Sequence, residues 1–466
     1  VNVPTMKPTI QCLMTCCFLL GWMFQGDRGH ARAAQRPPNI VFILSDDQAW
    51  TDYGFMGHPL IRTPSLDKLA ARSALFSRGH VPTALCRPSL ATLITGLYAH
   101  QHGITGNDPS HELAPPDSPR YQELRGELIG FIDRQPTLPK WLAERGYLSH
   151  QSGKWWEGNY RRGGFTHGMT RGFPEPDGRH GDDGLKIGRQ GMQPIFDFID
   201  MAVKQEKPFY LWYAPFLPHT PHNPPPRLLK KYIDKVPSPK VARYYAMCEW
   251  FDETCGELLG KIESSGLSDN TLVVYIADNG WIQNPDADGY APRSKQSPNE
   301  GGTRQPIMLS WPGVIAPREY KDLASGVDIV PTILSAAGIE VPKDLPGRDL
   351  LVLARDGKPL DRDIIFGETF AHDIADLHNP EASLVYRWAI RGKWKLLLTY
   401  DGKLGSRYAS THPRTELRPQ LYDLDADPQE ETNLAASNPE QVAQLVAEID
   451  RWWPVRERKV IKTWVP

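Results

Sequence analysis

Three short apolar runs stand out along the chain: Ile40-Val-Phe-Ile-Leu44, Phe209-Tyr-Leu-Trp-Tyr213 and Thr271-Leu-Val-Val-Tyr-Ile276. None alternates with polar residues, so each predicts a strand buried on both faces, the usual environment of a parallel sheet. Each run stops abruptly, on Ser45-Asp46-Asp47, on Pro215 with Pro218-His219, and on Ala277-Asp278-Asn279-Gly280. Between them the apolar spacing turns helical, over Ser65–Phe76, Leu138–Arg145, Gln193–Lys204 and Arg243–Glu263. Strands alternating with helices predict an α/β fold with a mostly parallel central sheet flanked by helices. In such sheets ligands bind beyond the carboxyl ends of the strands, where all three runs become polar.

After about Asp361 the pattern changes. Ile364-Ile365-Phe366 reads as a strand, Trp388-Ala389-Ile390 and Trp394–Leu398 as a hairpin around Gly392, and Leu421–Leu424 as a further strand. Pro439–Trp452 closes the chain as a helix. This predicts a catalytic-type α/β domain over residues 34–360 and a smaller C-terminal α+β subdomain over 361–466. The Gly-, Pro- and charge-rich stretch Gly163–Gly188 is too long for a simple connection, and loops of that length are often functional.

The N-terminus reads as an export signal over residues 1–33. Met6-Lys7 is weakly basic, Cys12 to Phe24 is apolar but too short to span a bilayer, and Ala31-Arg32-Ala33 gives a small-residue cleavage site before Ala34. The expected location is therefore secreted or periplasmic, without a membrane span. Of the six cysteines, Cys12, Cys16 and Cys17 leave with that segment. Cys248 and Cys255 fall seven residues apart in one expected helix, about 10.5 Å along its axis, beyond disulfide reach. That leaves Cys86 in need of another explanation. A formal net charge of -2 over 466 residues, with no Lys/Arg-rich run, supplies no field for nucleic acid.

Asp46, Asp47, Asp278 and Asn279 set four hard oxygen donors at the ends of two strands, a donor set suited to Ca²⁺ or Mg²⁺ rather than to zinc. Singly, an Asp after a strand is usually a helix cap or a turn residue; two such pairs together point to a metal. In Cys86-Arg-Pro-Ser-Leu-Ala-Thr-Leu-Ile-Thr-Gly96, Pro88 suits a first helical turn and Gly96 a C-terminal cap. Cys86 is thereby placed just before a helix N-terminus, where backbone N–H groups favour anions.

That run resembles the signature of the sulfatase family in the alkaline-phosphatase superfamily, in which Cys is followed by x-Pro-Ser-Arg and later by Thr-Gly. The resemblance extends from Asn39 to about Leu434. It takes in Asn39–Asp47, Ser152-Gly-Lys-Trp-Trp-Glu-Gly158, Pro218-His219-Thr-Pro221, Ala277–Gly280, Lys295 five residues before Glu300-Gly301-Gly302, and Leu421–Pro428. It implies a sulfuric ester hydrolase. On that resemblance Cys86 is expected to be oxidised to formylglycine by a maturation enzyme, and one Ca²⁺ to be bound by Asp46, Asp47, Asp278, Asn279 and residue 86. One hydroxyl of the hydrated aldehyde attacks sulfur and expels the alcohol, and the second breaks the resulting sulfate ester. Lys154 and Lys295 hold the non-bridging oxygens, and His219 is the candidate general acid. The expected substrate is a sulfated carbohydrate or another sulfate ester.

Two positions depart from the family pattern: Leu90 stands where it has Arg, and Trp156 where its Lys-x-His segment has His. His80, His100, His102 and His222 are candidates to replace that imidazole, and Arg171, Arg179 and His180 of the long loop are candidates for a substrate wall. Two other readings stay open at this point. One is a phosphate mono- or diester hydrolase of the same superfamily; the other is a secreted glycan-binding protein that has lost catalysis.

Overall fold

Strand β1, Asn39–Ser45, is buried at all seven positions. Ile40, Phe42 and Leu44 enter one apolar cluster and Val41 and Ile43 another, so the strand is covered on both faces. The computed structural model describes residues 1–5, 36–172, 179–400, 417–455 and 462. It separates into two units, Val1–Arg36 and Pro37–Pro466. Apart from residues 1–5, the export-signal reading of residues 1–33 lies outside the described residues.

Seven further strands join β1: β2 (Ala74–Phe76), β3 (Leu148–Gly153), β4 (His167–Gly168), β5 (Phe209–Ala214), β6 (Thr271–Ala277), β7 (Ile307–Ser310) and β8 (Arg318–Tyr320). Their order is β8-β2-β7-β6-β1-β5-β3-β4. Only β7 runs against its neighbours, β2 and β6. The sheet is thus mostly parallel, as expected. Register brings Ser45 level with Ala277, and Gly153 level with Ala214. The segments leaving β1, β3, β5 and β6 therefore emerge along one edge.

Helices α1 (Pro64–Ala70), α2 (Cys86–Thr95), α3 (Leu138–Ala143), α4 (Gln193–Lys204) and α5 (Pro239–Ser264) cover the sheet. Helix α4 shows why: Ile195, Phe198, Ile199 and Ala202 recur every three to four residues and are all buried. Each large apolar side chain so placed contributes roughly 1.5–3 kcal/mol. Leu66, Leu69, Phe251 and Leu258 bring α1 and α5 to the same face. Leu90, Leu93 and Ile94 of α2 pack on the other.

One expectation is corrected, and one strand was not foreseen. The helix expected over Ser65–Phe76 ends at Ala70, and Ala74–Phe76 is strand β2. The Ser73 hydroxyl donates to the Leu69 carbonyl at 2.6 Å, and Ala74-Leu-Phe then pairs with Leu309-Met-Ile of β7. Strand β3, whose sequence is Leu-Ser-His-Gln-Ser-Gly, was not anticipated. Its polar side chains are buried because they find partners: the Ser152 hydroxyl donates to the Trp212 carbonyl at 2.9 Å, and the Gln151 amide to the Gly153 carbonyl at 2.9 Å.

The C-terminal part forms an antiparallel sheet of β9 (Ile364–Phe370), β10 (Leu384–Arg391), β11 (Trp394–Thr399) and β12 (Gln420–Asp423), in that order. Helix α6 (Pro439–Trp452) packs on it through Val442, Leu445 and Ile449. Cys248 and Cys255 are both buried and unpaired, as their spacing requires.

Candidate active site

The edge where β1 and β6 end carries Asp46-Asp47 and Asp278-Asn279. All four are buried. Asp47 sits at φ 65°, in the left-handed region, which turns its carboxylate back over the strand ends. Its N–H donates to Asp278 Oδ1 at 3.0 Å, and Asn279 Nδ2 donates to Asp47 Oδ1 at 2.7 Å. Gly280 permits this turn, because a Cβ there would meet the Gly301 carbonyl oxygen at 1.9 Å. Gly153 has the same role before Lys154: at φ +86°, any side chain would strike the Ala214 carbonyl at 1.8 Å.

Two lysines enter this acidic group. Lys154 Nζ donates to Asp46 Oδ1 at 2.7 Å and lies 4.0 Å from Asp278 Oδ2. Lys295 Nζ donates to Asp47 Oδ1 and Oδ2 at 2.6 and 2.8 Å and to Cys86 Sγ at 3.0 Å. Cys86 is the first residue of α2, not the residue before it. His219 Nε2 stands 3.4 Å from Asp47 Oδ2, its ring stacked on Phe216 with centroids 4.2 Å apart. His219 Nδ1 lies 2.6 Å from the Thr220 carbonyl oxygen and takes the donor role there.

Burial governs the protonation states. It raises the Asp46 carboxyl well above its ordinary range despite Lys154, and it raises Asp278 too. Burial would also raise Asp47, but Lys295 and His219 outweigh it and hold that carboxyl well below the usual range. The Cys86 thiol is pushed up to about 12 by burial, although Lys154 and Lys295 oppose the shift. Burial and the Lys154 charge push His219 well down, against Asp47.

Three carboxylates meet two ammonium groups here, and three oxygens are left over. Asp46 Oδ2, Asp278 Oδ2 and Asn279 Oδ1 are buried and meet no hydrogen-bond partner. An unmatched buried acceptor costs about 1–3 kcal/mol, so three at one sheet edge suit a bound cation that prefers oxygen ligands. Asp46, Asp47, Cys86 and His219 can offer ligand atoms that all lie within 4.8 Å of one another.

The chain as a whole matches known proteins. The family model for sulfatases matches residues 38–339, and a model for the C-terminal part of N-sulphoglucosamine sulphohydrolase matches residues 294–452. Human arylsulfatase A is 30% identical over 89% of this chain and 87% of its own length. The chain belongs to the sulfatase family. Canine N-acetylgalactosamine-6-sulfatase is also 30% identical, over 72% of this chain and 69% of its own. A solved structure in complex with its substrate, D-glucosamine-2-N,6-O-disulfate, aligns with a TM-score of 0.67 at 20% identity, over 90% of this chain and 97% of that one. At that identity it speaks for the fold alone, which is alkaline-phosphatase-like.

In this sulfatase the two departures from the family pattern are both buried, Leu90 in the helix that begins at Cys86 and Trp156 two residues after Lys154. Leu90 is 5% exposed in the apolar cluster beneath the sheet. Trp156 is buried, and its ring lies 6.0 Å from Lys154 Nζ. Of the candidate histidines, His80 bonds Glu300 at 3.0 Å, His100 bonds Glu368 at 2.5 Å, and His102 lies 3.2 Å from Thr92 Oγ1. None of these three faces Trp156. The imidazole that does is His180, with ring centroids 5.2 Å apart, pushed down to about 3 by burial and by Lys154. Arg179 lies over the same indole at 4.9 Å and pairs with Asp108. Arg171 instead pairs with Asp183 on the surface.

One interaction went unread in the sequence. Arg87, the second residue of α2, is buried and donates from Nε and Nη2 to Glu157 at 2.8 and 2.7 Å. This ties the helix that begins at Cys86 to the segment that carries Lys154. Charged residues at positions 87 and 157 were the available signal, but only contact relates them.

Proposed function

We propose that this sulfatase releases sulfate from a sulfated carbohydrate, with Cys86 oxidised to formylglycine and one Ca²⁺ bound beside it. The observation that carries the reading is the position of residue 86. It lies at the start of a helix, against Lys295 and beside three unpartnered buried oxygens, in a pocket that keeps an unmodified thiol protonated. A neutral thiol buried among cations is a poor nucleophile, because the thiolate is the reactive form. The hydrated aldehyde supplies two hydroxyls instead, one to attack sulfur and one to release the product.

Asp46, Asp47, Asp278, Asn279 and residue 86 would hold the calcium, which supplies positive charge to the sulfate oxygens when bound. Lys154 and Lys295 are preorganised to add to that charge, since carboxylates fix both ammonium groups before substrate arrives. His219, on the rim of the pocket, is the proposed proton donor to the leaving oxygen. With Nδ1 committed to the Thr220 carbonyl, the proton would sit on Nε2. That requires the negative charge of the bound sulfate ester to offset the burial and the Lys154 charge that otherwise keep the ring neutral. The carbohydrate class follows the relatives, one an N-acetylgalactosamine-6-sulfatase and one holding a disulfated glucosamine. The arylsulfatase relative makes aryl sulfates suitable reporters. A maturation enzyme is the implied partner, and export to the periplasm or beyond is the implied location. Among the described residues no helix is long and apolar enough to cross a membrane.

The test is peptide mass spectrometry of residue 86 in natively produced protein, with sulfate release measured on the same sample. Formylglycine together with sulfate release is the expected result. An unmodified Cys86 in protein that still releases sulfate would overturn the mechanism. Release of phosphate in preference to sulfate from matched aryl esters would move the assignment to the esterase reading.

A further inference from the structure

We propose that a cavity beside His219 receives the departing sugar, and that Arg243 and Lys240 make it select a sugar bearing a second anionic group, a carboxylate or a further sulfate. The proposal rests on the reading of His219 as proton donor to the leaving oxygen, which puts the alcohol portion of the substrate on that side.

The cavity encloses about 320 Å³, enough for a small ligand, and Thr220, Pro221, His222, Lys240, Arg243 and Asp288 line it. Thr220 to His222 follow His219 directly. The His222 ring packs 5.4 Å from Tyr244 and 5.8 Å from Trp281. The Tyr244 hydroxyl, which donates to Asp52 Oδ2 at 2.6 Å, lies 3.2 Å from the Asp47 carbonyl oxygen, and the Trp281 ring faces Lys295 Nζ at 5.6 Å. The cavity and the catalytic centre therefore share a wall. A sugar that loses its sulfate at Cys86 has this space next to it.

The lining is unevenly charged. Lys240 and Arg243 are three residues apart in α5 and so share one face of the helix. Lys240 pairs with Asp288 at 2.5 Å, but that carboxylate is 94% exposed and strongly screened. Arg243 is exposed and has no ion pair among the described residues. His222 Nε2 is buried and meets no hydrogen-bond partner. A guanidinium outside any ion pair offers a paired set of donors to a carboxylate or sulfate.

The experiment uses the mature protein with 4-nitrophenyl sulfate as reporter and three competitors: N-acetylgalactosamine 6-sulfate, N-acetylgalactosamine 4,6-disulfate and glucuronic acid 2-sulfate. At least one of the two doubly charged sugars should inhibit at about tenfold lower concentration than the monosulfate, the size of one charged hydrogen bond. Which of them does so identifies the second anion. Arg243→Gln should remove that preference, and Asp288→Asn, which frees Lys240, should strengthen it. Equal inhibition by all three, or a preference untouched by Arg243→Gln, would overturn the subsite. If the reporter is not hydrolysed at all, it is the proposed function that fails. The subsite is then decided by calorimetric titration of the same three sugars into wild-type and Arg243→Gln protein, with the same outcomes for and against.

Discussion

On one side of the pocket, where β1 and β6 end, the polar side chains come from residues directly following a strand: Asp46, Asp47, Asp278 and Asn279. On the other side, α2 and the segment after β3 bring together Cys86, Arg87, Leu90, Lys154, Trp156 and Glu157 from two stretches about seventy residues apart. The strand-end side holds Asp46, Asp47, Asp278 and Asn279 together, as the family resemblance leads one to expect. The helix side departs from the family pattern at Leu90 and Trp156, and a buried ion pair, Arg87–Glu157, crosses between its two stretches. The difference teaches where substitution is tolerated. Strand ends that must present oxygens at one point have little freedom, whereas a helix flank can exchange a charged contact for an apolar one if its backbone stays tied down.

The largest expected effects lie on the strand-end side. Asp278→Ala should abolish metal binding, measured by elemental analysis, and reduce sulfate release to background while the far-ultraviolet circular dichroism stays close to wild type. Full metal content in that variant would mean that the three unpartnered oxygens answer to something other than a cation. Cys86→Ala should be equally inactive but folded.

Next comes His219→Ala, which should lower kcat and kcat/KM together by about 10²–10⁴-fold on a sugar sulfate. The loss should be smaller on 4-nitrophenyl sulfate, whose phenolate leaves with little need of a proton. A rise in KM alone would make His219 a binding residue.

The helix side is tested by its ion pair. Arg87→Leu strands the Glu157 carboxylate in a buried site and should destabilise the fold by about 3–5 kcal/mol in denaturant unfolding. The double change Arg87→Leu with Glu157→Leu removes both charges and should recover most of that loss. If the single and double variants are equally unstable, the pair does not tie α2 to the Lys154 segment.

The smallest effect concerns Leu90. Restoring the family residue with Leu90→Arg should raise the fraction of residue 86 converted to formylglycine in a foreign host, read by peptide mass spectrometry. Because Leu90 is buried among apolar side chains, the same change should also lower the melting temperature of the folded protein. Unchanged conversion would show that maturation here does not depend on that position.

The amino-acid sequence by itself determined the elements whose chemistry is local. β1, β5 and β6 are legible because both faces are apolar. α4 and α6 match their expected bounds because their apolar spacing is unambiguous and Pro marks each first turn. The Asp46-Asp47 and Asp278-Asn279 pairs, Lys154, His219 and Lys295 were legible as motifs in a characteristic order. β3 was not, since its burial depends on hydrogen bonds to Trp212 and to its own backbone that no periodicity reports. Nor was the end of α1, where a strand partner 235 residues away (Ala74 to Leu309) outweighs helical spacing. Tertiary structure alone decided which imidazole faces Trp156. His80, His100, His102 and His222 are nearer in sequence to the candidate site residues, yet it is the His180 ring that packs against that indole. It also decided that Arg87 meets Glu157 and that Arg243, among the described residues, has no ion pair. Backbone hydrogen bonding and apolar periodicity act over a few residues and leave a mark in the sequence. Pairing between charges on different elements depends on where the sheet brings them, and that is settled only when the chain has packed.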